Sequence, residues 1–120
     1  MGKIVLVLSF LNLFLFADEL AITERSFTNT CISCHKQQQI PSSLIYKRYL
    51  LKYSTNVRME EAMFNYLKDP KKEYSIMPEP FFLKFPMKEK VEVDDQTLRK
   101  SIRTYLDTYN MKKKLYFRVK

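Results

Sequence analysis

Along this chain, apolar and polar residues follow a helical period in four stretches, set behind one nearly unbroken apolar run. The run comes first. Ile4 to Phe16 is apolar apart from Ser9 and Asn12, follows the basic Lys3 and ends at the small residue Ala17. It is short of the roughly 20 residues that a membrane-spanning helix needs. Its form is that of a secretory signal over residues 1–17, cleaved after Ala17 or, if retained, serving as a membrane tether. Leu20, Glu24, Phe27 and Cys31 then share one side of a first helix running to about Thr30. After Pro41, Ser42 and Ser43 offer caps to a second helix bearing Leu44, Ile45, Tyr49 and Leu51. A third runs from about Arg58 to Lys68, with Met59, Met63, Tyr66 and Leu67 as its stripe, and Asp69-Pro70 closes it. The fourth has Asp94 and Asp95 at its N-terminus and the stripe Leu98, Ile102, Tyr105, Leu106 and Tyr109.

No alternating strand pattern or internal repeat is present, so the predicted fold class is all-α: a small domain of about four helices over residues 18–110, with a basic tail over 111–120. Residues 71–93, broken by Pro78, Pro80 and Pro86, form the one long irregular segment, and a loop of that length in a small domain usually serves function.

Composition narrows the chemistry. The chain has 120 residues and a net charge of +8, so it forms one domain with an excess of positive charge. Two cysteines rule out a disulfide-rich framework. The one glycine, Gly2, falls within the predicted leader. Glycine-rich phosphate cradles and dinucleotide fingerprints are therefore excluded, and tight hairpins are disfavoured for want of an easy left-handed residue.

The candidate chemistry is concentrated in Cys31-Ile32-Ser33-Cys34-His35. Two thiols three residues apart at the end of a helix face the same way over one turn. They can add to the two vinyl groups of a haem, and the adjacent histidine then falls beneath the iron as an axial ligand. A thioredoxin-type redox motif needs a βαβ setting that the pattern lacks. A structural zinc site needs a fourth ligand from a second Cys or His, and the chain has none. A local disulfide leaves the histidine unexplained. The reading is one covalently bound haem c, attached through Cys31 and Cys34, with His35 on the iron.

With one histidine in the chain, the iron's other axial ligand is not a second histidine. Methionine, a soft thioether, is the natural candidate. Met59 and Met63 sit on the third helix's stripe and read as core, and Met111 lies beyond the last helix and reads as peripheral. Met77 and Met87 both lie in the proline-broken loop, where a sulfur can turn inward, and one of them is the expected sixth ligand.

These features together resemble the class I c-type cytochromes over nearly the whole of the chain after the leader. Phe27 stands four positions before Cys31, where that family places an aromatic residue. Tyr66-Leu67-Lys68-Asp69-Pro70-Lys71-Lys72 is similar to the end of the family's third helix and the turn that opens its methionine loop. Tyr105-Leu106 corresponds to the aromatic position of its last helix. Ile76-Met77-Pro78 matches the family's habit of placing the axial methionine before proline. The resemblance thus implies His35 and Met77 as iron ligands, with Met87 the alternative because its distance to Asp94 suits a shorter loop. It implies an all-α fold wrapped around one haem whose edge is exposed at the rim.

Three departures stand beside the match. Thr23 occupies the family's small position before the first cysteine. Lys36-Gln37-Gln38-Gln39 replaces the glycines after the motif. Pro41, whose carbonyl is the expected acceptor for the second imidazole nitrogen, sits closer to His35 than usual.

The function so implied is single-electron transfer between redox partners in the periplasm by a protein that is not an enzyme. The alternative is a haem peroxidase or gas-binding sensor with an open distal site. Partners with acidic docking faces suit the positive charge. Lys71, Lys72, Lys84, Lys88 and Lys90 form either a docking ring around the haem edge or a solvated loop. The basic, aromatic tail is read as loosely ordered, with peripheral membrane contact as its other possible role. Nucleic acid is not an expected partner, because the chain carries an export signal. Phe81-Phe82-Leu83-Lys84-Phe85 is expected to line the haem pocket, each buried phenylalanine contributing roughly 1.5–3 kcal/mol.

Overall fold

The computed structural model describes residues 18, 21, 24–37 and 39–116, and the predicted leader lies outside them. Among the described residues every regular element is helical and no strand occurs. The first helix is under way at residues 24–27, opens into a π-helical turn at Thr28–Ile32 and closes as α1, Ser33–Gln37. It therefore carries the whole cysteine–histidine motif instead of stopping at Thr30. Then follow α2 (Ser42–Tyr53), α3 (Asn56–Lys68), a single 3₁₀ turn (Lys72–Tyr74), the one-turn α4 (Phe81–Lys84), α5 (Asp95–Thr108) and α6 (Met111–Tyr116). No described helix is long and apolar enough to cross a membrane.

The ends of these helices follow local chemistry. The Thr55 hydroxyl accepts from the Arg58 N–H at the start of α3, and Asp94 Oδ1 accepts from the Thr97 N–H at 2.9 Å at the start of α5. Asp69 leaves the helical region ahead of Pro70. With no glycine at hand, the corners after α1 and α2 are turned by Gln39 (φ 53°) and Ser54 (φ 64°), ordinary residues in the region where a Cβ is unfavourable.

The core is formed by α2, α3 and α5: Tyr46, Tyr49, Met59, Met63, Leu98, Ile102, Tyr105 and Leu106 are buried together. The stripes of α3 and α5 lie where their periodicity places them. The stripe of α2 does so in part: Tyr49 is buried and Ile45 packs on the core as expected, but Leu44 is exposed and Leu51 is 84 % exposed, while Tyr46, outside the expected stripe, is buried. Tyr46, Tyr49 and Tyr53, spaced i, i+3 and i+7, share one face. The Tyr46 and Tyr49 rings are buried in the core with Tyr53 packed against it, and the Tyr46 hydroxyl donates to Asn110 Oδ1 at 3.4 Å. Met111, expected at the periphery, packs against this core, and part of the tail beyond it is helical.

The first helix crosses α5 through two small residues, Ser26 and the fully buried Ser101, whose hydroxyls lie 3.4 Å apart. Outside the core, Arg99 and Arg103 of α5 grip Glu60 of α3, Arg99 also reaches Glu61 at 3.0 Å, and the Arg99 guanidinium lies 3.9 Å from the Phe64 ring centre. The long loop is tied at its return, where the Val91 N–H donates to the Leu67 carbonyl at 2.8 Å and Lys68 reaches Asp95 at 2.7 Å.

Two outcomes follow for stability. Ser54→Gly should stabilise the fold by about 1 kcal/mol, seen as a raised denaturation midpoint, because glycine occupies that corner without steric cost. The hydrogen bond and charge of Arg103, joined by Arg99, hold the Glu60 carboxyl below its usual value of 4.5. This stabilisation is present above the unfolded value and is lost as pH falls through the lower folded one. Thermal unfolding at about pH 6 and about pH 3 should show a smaller acid loss for Glu60→Gln than for the parent.

Candidate functional site

His35 projects from α1 toward the start of α2. Its Nδ1 lies 3.2 Å from Ser42 Oγ, and its ring centre lies 5.8 Å from that of Tyr105. Tyr105 in turn donates its phenol O–H to the Ser42 carbonyl. Pro41, the expected acceptor for the imidazole, is otherwise engaged: its carbonyl accepts the N–H groups of Leu44 (2.9 Å) and Ile45 (3.3 Å) as α2 begins. Ser42 was legible in the sequence only as a cap, yet its side chain makes no cap bond. Burial holds His35 below its usual value of 6.5; a hydrogen bond with the Ile40 backbone opposes that shift and Lys88 adds to it. The ring is thereby favoured neutral, the form that ligates a metal.

Beside the imidazole lies a cavity of about 90 Å³ whose walls include both His35 and Met77. Tyr49, Tyr66 and Phe81 supply aromatic walls, and Ile40, Ile45 and Ile76 aliphatic ones. Met77 is set there by its own loop: its N–H donates to Ser75 Oγ at 3.1 Å, and the following Pro78 disfavours helix at Met77. Met87 is half-buried but is not among the lining residues, so of the two loop methionines it is Met77 that shares a cavity with His35.

Cys31 and Cys34 are half-buried free thiols outside the cavity lining but close to groups that form it. Burial, working against the nearby Lys88, pushes the Cys31 thiol up to about 11. Burial, and in lesser measure Cys34, raises the Tyr66 phenol. Among the described residues no three His, Cys, Asp or Glu side chains converge on a cation site. The motif therefore does not form a ready-made cage for a bare ion.

The loop's lysines separate into different roles. Lys88 is half-buried in the cavity wall, whereas Lys71, Lys72 and Lys90 pair with Asp69, Glu79 and Glu92, and Lys84 is exposed. The aromatic cluster also divides. Phe81 stacks on Phe85 at 4.7 Å and reaches the cavity, while Leu83 stands 86 % exposed.

Whether these residues suit a haem is decided by chemistry and by size. A neutral imidazole, a thioether in the same apolar cavity and two thiols nearby form the donor set such a group requires. The volume corresponds to about three waters, smaller than a flat macrocycle, so the cavity is where the donor side chains converge and not a preformed pocket for the whole group. Comparison of the chain with family models, characterised proteins and solved structures returns no match.

Proposed function

We propose that this chain is a monohaem c-type cytochrome of the class I kind that carries single electrons between redox partners in the periplasm. The observation that carries the reading is that the histidine of a C-x-x-C-H motif shares one apolar cavity with a methionine before proline, Met77. A haem held there supplies a one-electron couple. Cys31 and Cys34 would tether it through thioether links, and His35 and Met77 would ligate its iron. Met77 is preferred to Met87 because it lines the cavity with His35.

Iron held by both His35 and Met77 would have no position open to oxygen or peroxide, which favours electron transfer over catalysis. Tyr49, Tyr66 and Phe81 supply aromatic walls beside the imidazole, and Lys88 brings a positive charge to the same wall. That charge favours an added electron. The chain's positive balance suits acidic docking faces on donor and acceptor, with Lys84 exposed beside Leu83 on the loop. The apolar leader supports export, and the basic tail suits peripheral contact with an anionic membrane.

The test is an optical titration of the haem-loaded protein beside its Met77→Ala and Met87→Ala variants, with and without cyanide or carbon monoxide. The parent and Met87→Ala should be low-spin and resist added ligands, and Met77→Ala should turn high-spin and bind them. A parent already high-spin and quick to bind ligand would favour the peroxidase or gas-sensor reading instead. In a chain this small the haem also supplies core, so the haem-free protein should unfold with less cooperativity and a lower midpoint than the loaded one.

A further inference from the structure

Ser42 Oγ lies beside His35 Nδ1, where the sequence led us to expect the Pro41 carbonyl. We propose that Ser42 is a positioning residue that orients the His35 ring and sets how strongly it donates to the iron, and hence the reduction potential. The inference rests on the haem reading above and extends it to a residue outside the motif.

Three observations carry it. Ser42 Oγ lies 3.2 Å from His35 Nδ1, the nitrogen left over once Nε2 faces a metal. Pro41 is committed to the first turn of α2 through two N–H groups and has no lone pair to spare for a strong third bond. Ser42 is itself held in place, since its carbonyl accepts from the Tyr105 O–H while the Tyr105 ring packs against the imidazole. Tyr105 is 4 % exposed, so this brace is anchored in the core and not on a mobile surface.

The chemistry sets the sign. With Nε2 on iron, Nδ1 would carry a proton that Ser42 Oγ, at 3.2 Å, can accept beside the Ile40 backbone. An acceptor at that proton makes the imidazole more basic and stabilises ferric over ferrous iron. A hydroxyl is a weaker acceptor than a carboxylate, so it leaves the potential between two extremes that single substitutions can reach. Ile40 is the other hydrogen-bonding neighbour of the ring, and Lys88 the other charge beside it. Neither is altered by substitution at Ser42.

The experiment is equilibrium potentiometry of the haem-loaded parent, Ser42→Ala, Ser42→Thr, Ser42→Asp and the neighbouring Ser43→Ala. It is joined by NMR measurement of exchange of the axial Nδ1 proton. Ser42→Ala should shift the potential upward and speed that exchange roughly fivefold or more, the ratio expected for loss of one hydrogen bond. Ser42→Asp, at the first residue of a helix that tolerates a carboxylate there, should shift the potential downward. Ser42→Thr should restore the parent's behaviour, and Ser43→Ala should match the parent. Unchanged potentials for Ser42→Ala and Ser42→Asp, or shifts of the same sign, overturn the role of Ser42 while leaving a low-spin cytochrome intact. A parent chain that matures without covalently bound haem ends both readings, and a high-spin parent ends the His/Met model on which this one stands.

Discussion

Tyr105 joins three helices, and the candidate site depends on that junction. Its backbone belongs to α5, its hydroxyl bonds the Ser42 carbonyl at the start of α2, and its ring packs against His35 of α1. The phenol is pushed to a higher pKa chiefly by burial, so it remains a donor throughout the neutral range. A phenylalanine would fill the same volume but leave the carbonyl without this partner. A leucine would also lose the ring-to-ring contact. The residue thus couples the packing of the core to the orientation of the one histidine.

The tyrosine-rich core follows from the same economy. A small domain without tryptophan buries apolar area most efficiently with aromatic rings, and tyrosine permits this where one end of the ring meets a polar edge. Tyr46, Tyr49 and Tyr53 do so along α2, with Tyr49 and Tyr53 stacked at 5.8 Å between centroids. Tyr49 is both core and cavity wall. A group bound beside His35 would therefore touch the hydrophobic core directly, and its loss would reach the stability of α2. Occupancy of the cavity would thus be linked to cooperative folding.

The π-helical turn at Thr28–Ile32 adds a constraint of a different kind. A π turn takes more residues than an α turn, and such turns are frequently found at functional sites. It lies between Phe27, which packs on the core, and Cys34 and His35, which follow in regular α-helix, and it contains Cys31. The turn sets the rotation between the helix's anchored face and its reactive face. Ser26 and Ser101 do comparable work at the crossing with α5, where small side chains allow close approach without glycine.

The helical class, the positions of α3 and α5, the location of the long loop and the Cys31–His35 motif were all legible before folding was considered. Each of these rests on information local to a few turns: periodicity, a capping residue, a proline, or a spacing of thiols. The sequence placed Ile45 and Tyr49 of α2 on the core but not Tyr46, because Leu44 and Leu51 are as apolar as the tyrosine buried in their stead. That choice depends on which side chains can fill the gap between α3 and α5 and still satisfy their polar ends. Nor did it determine which loop methionine lies beside the imidazole, since Met77 and Met87 each stand next to a proline in the same segment. The return of the loop, tied through Val91 to Leu67, and the set of Met77 on Ser75 decided that in three dimensions. The substitution of Ser42 for Pro41 beside the histidine has the same cause. A carbonyl's availability depends on which amides the folded helix brings to it, and no residue type reveals that in isolation.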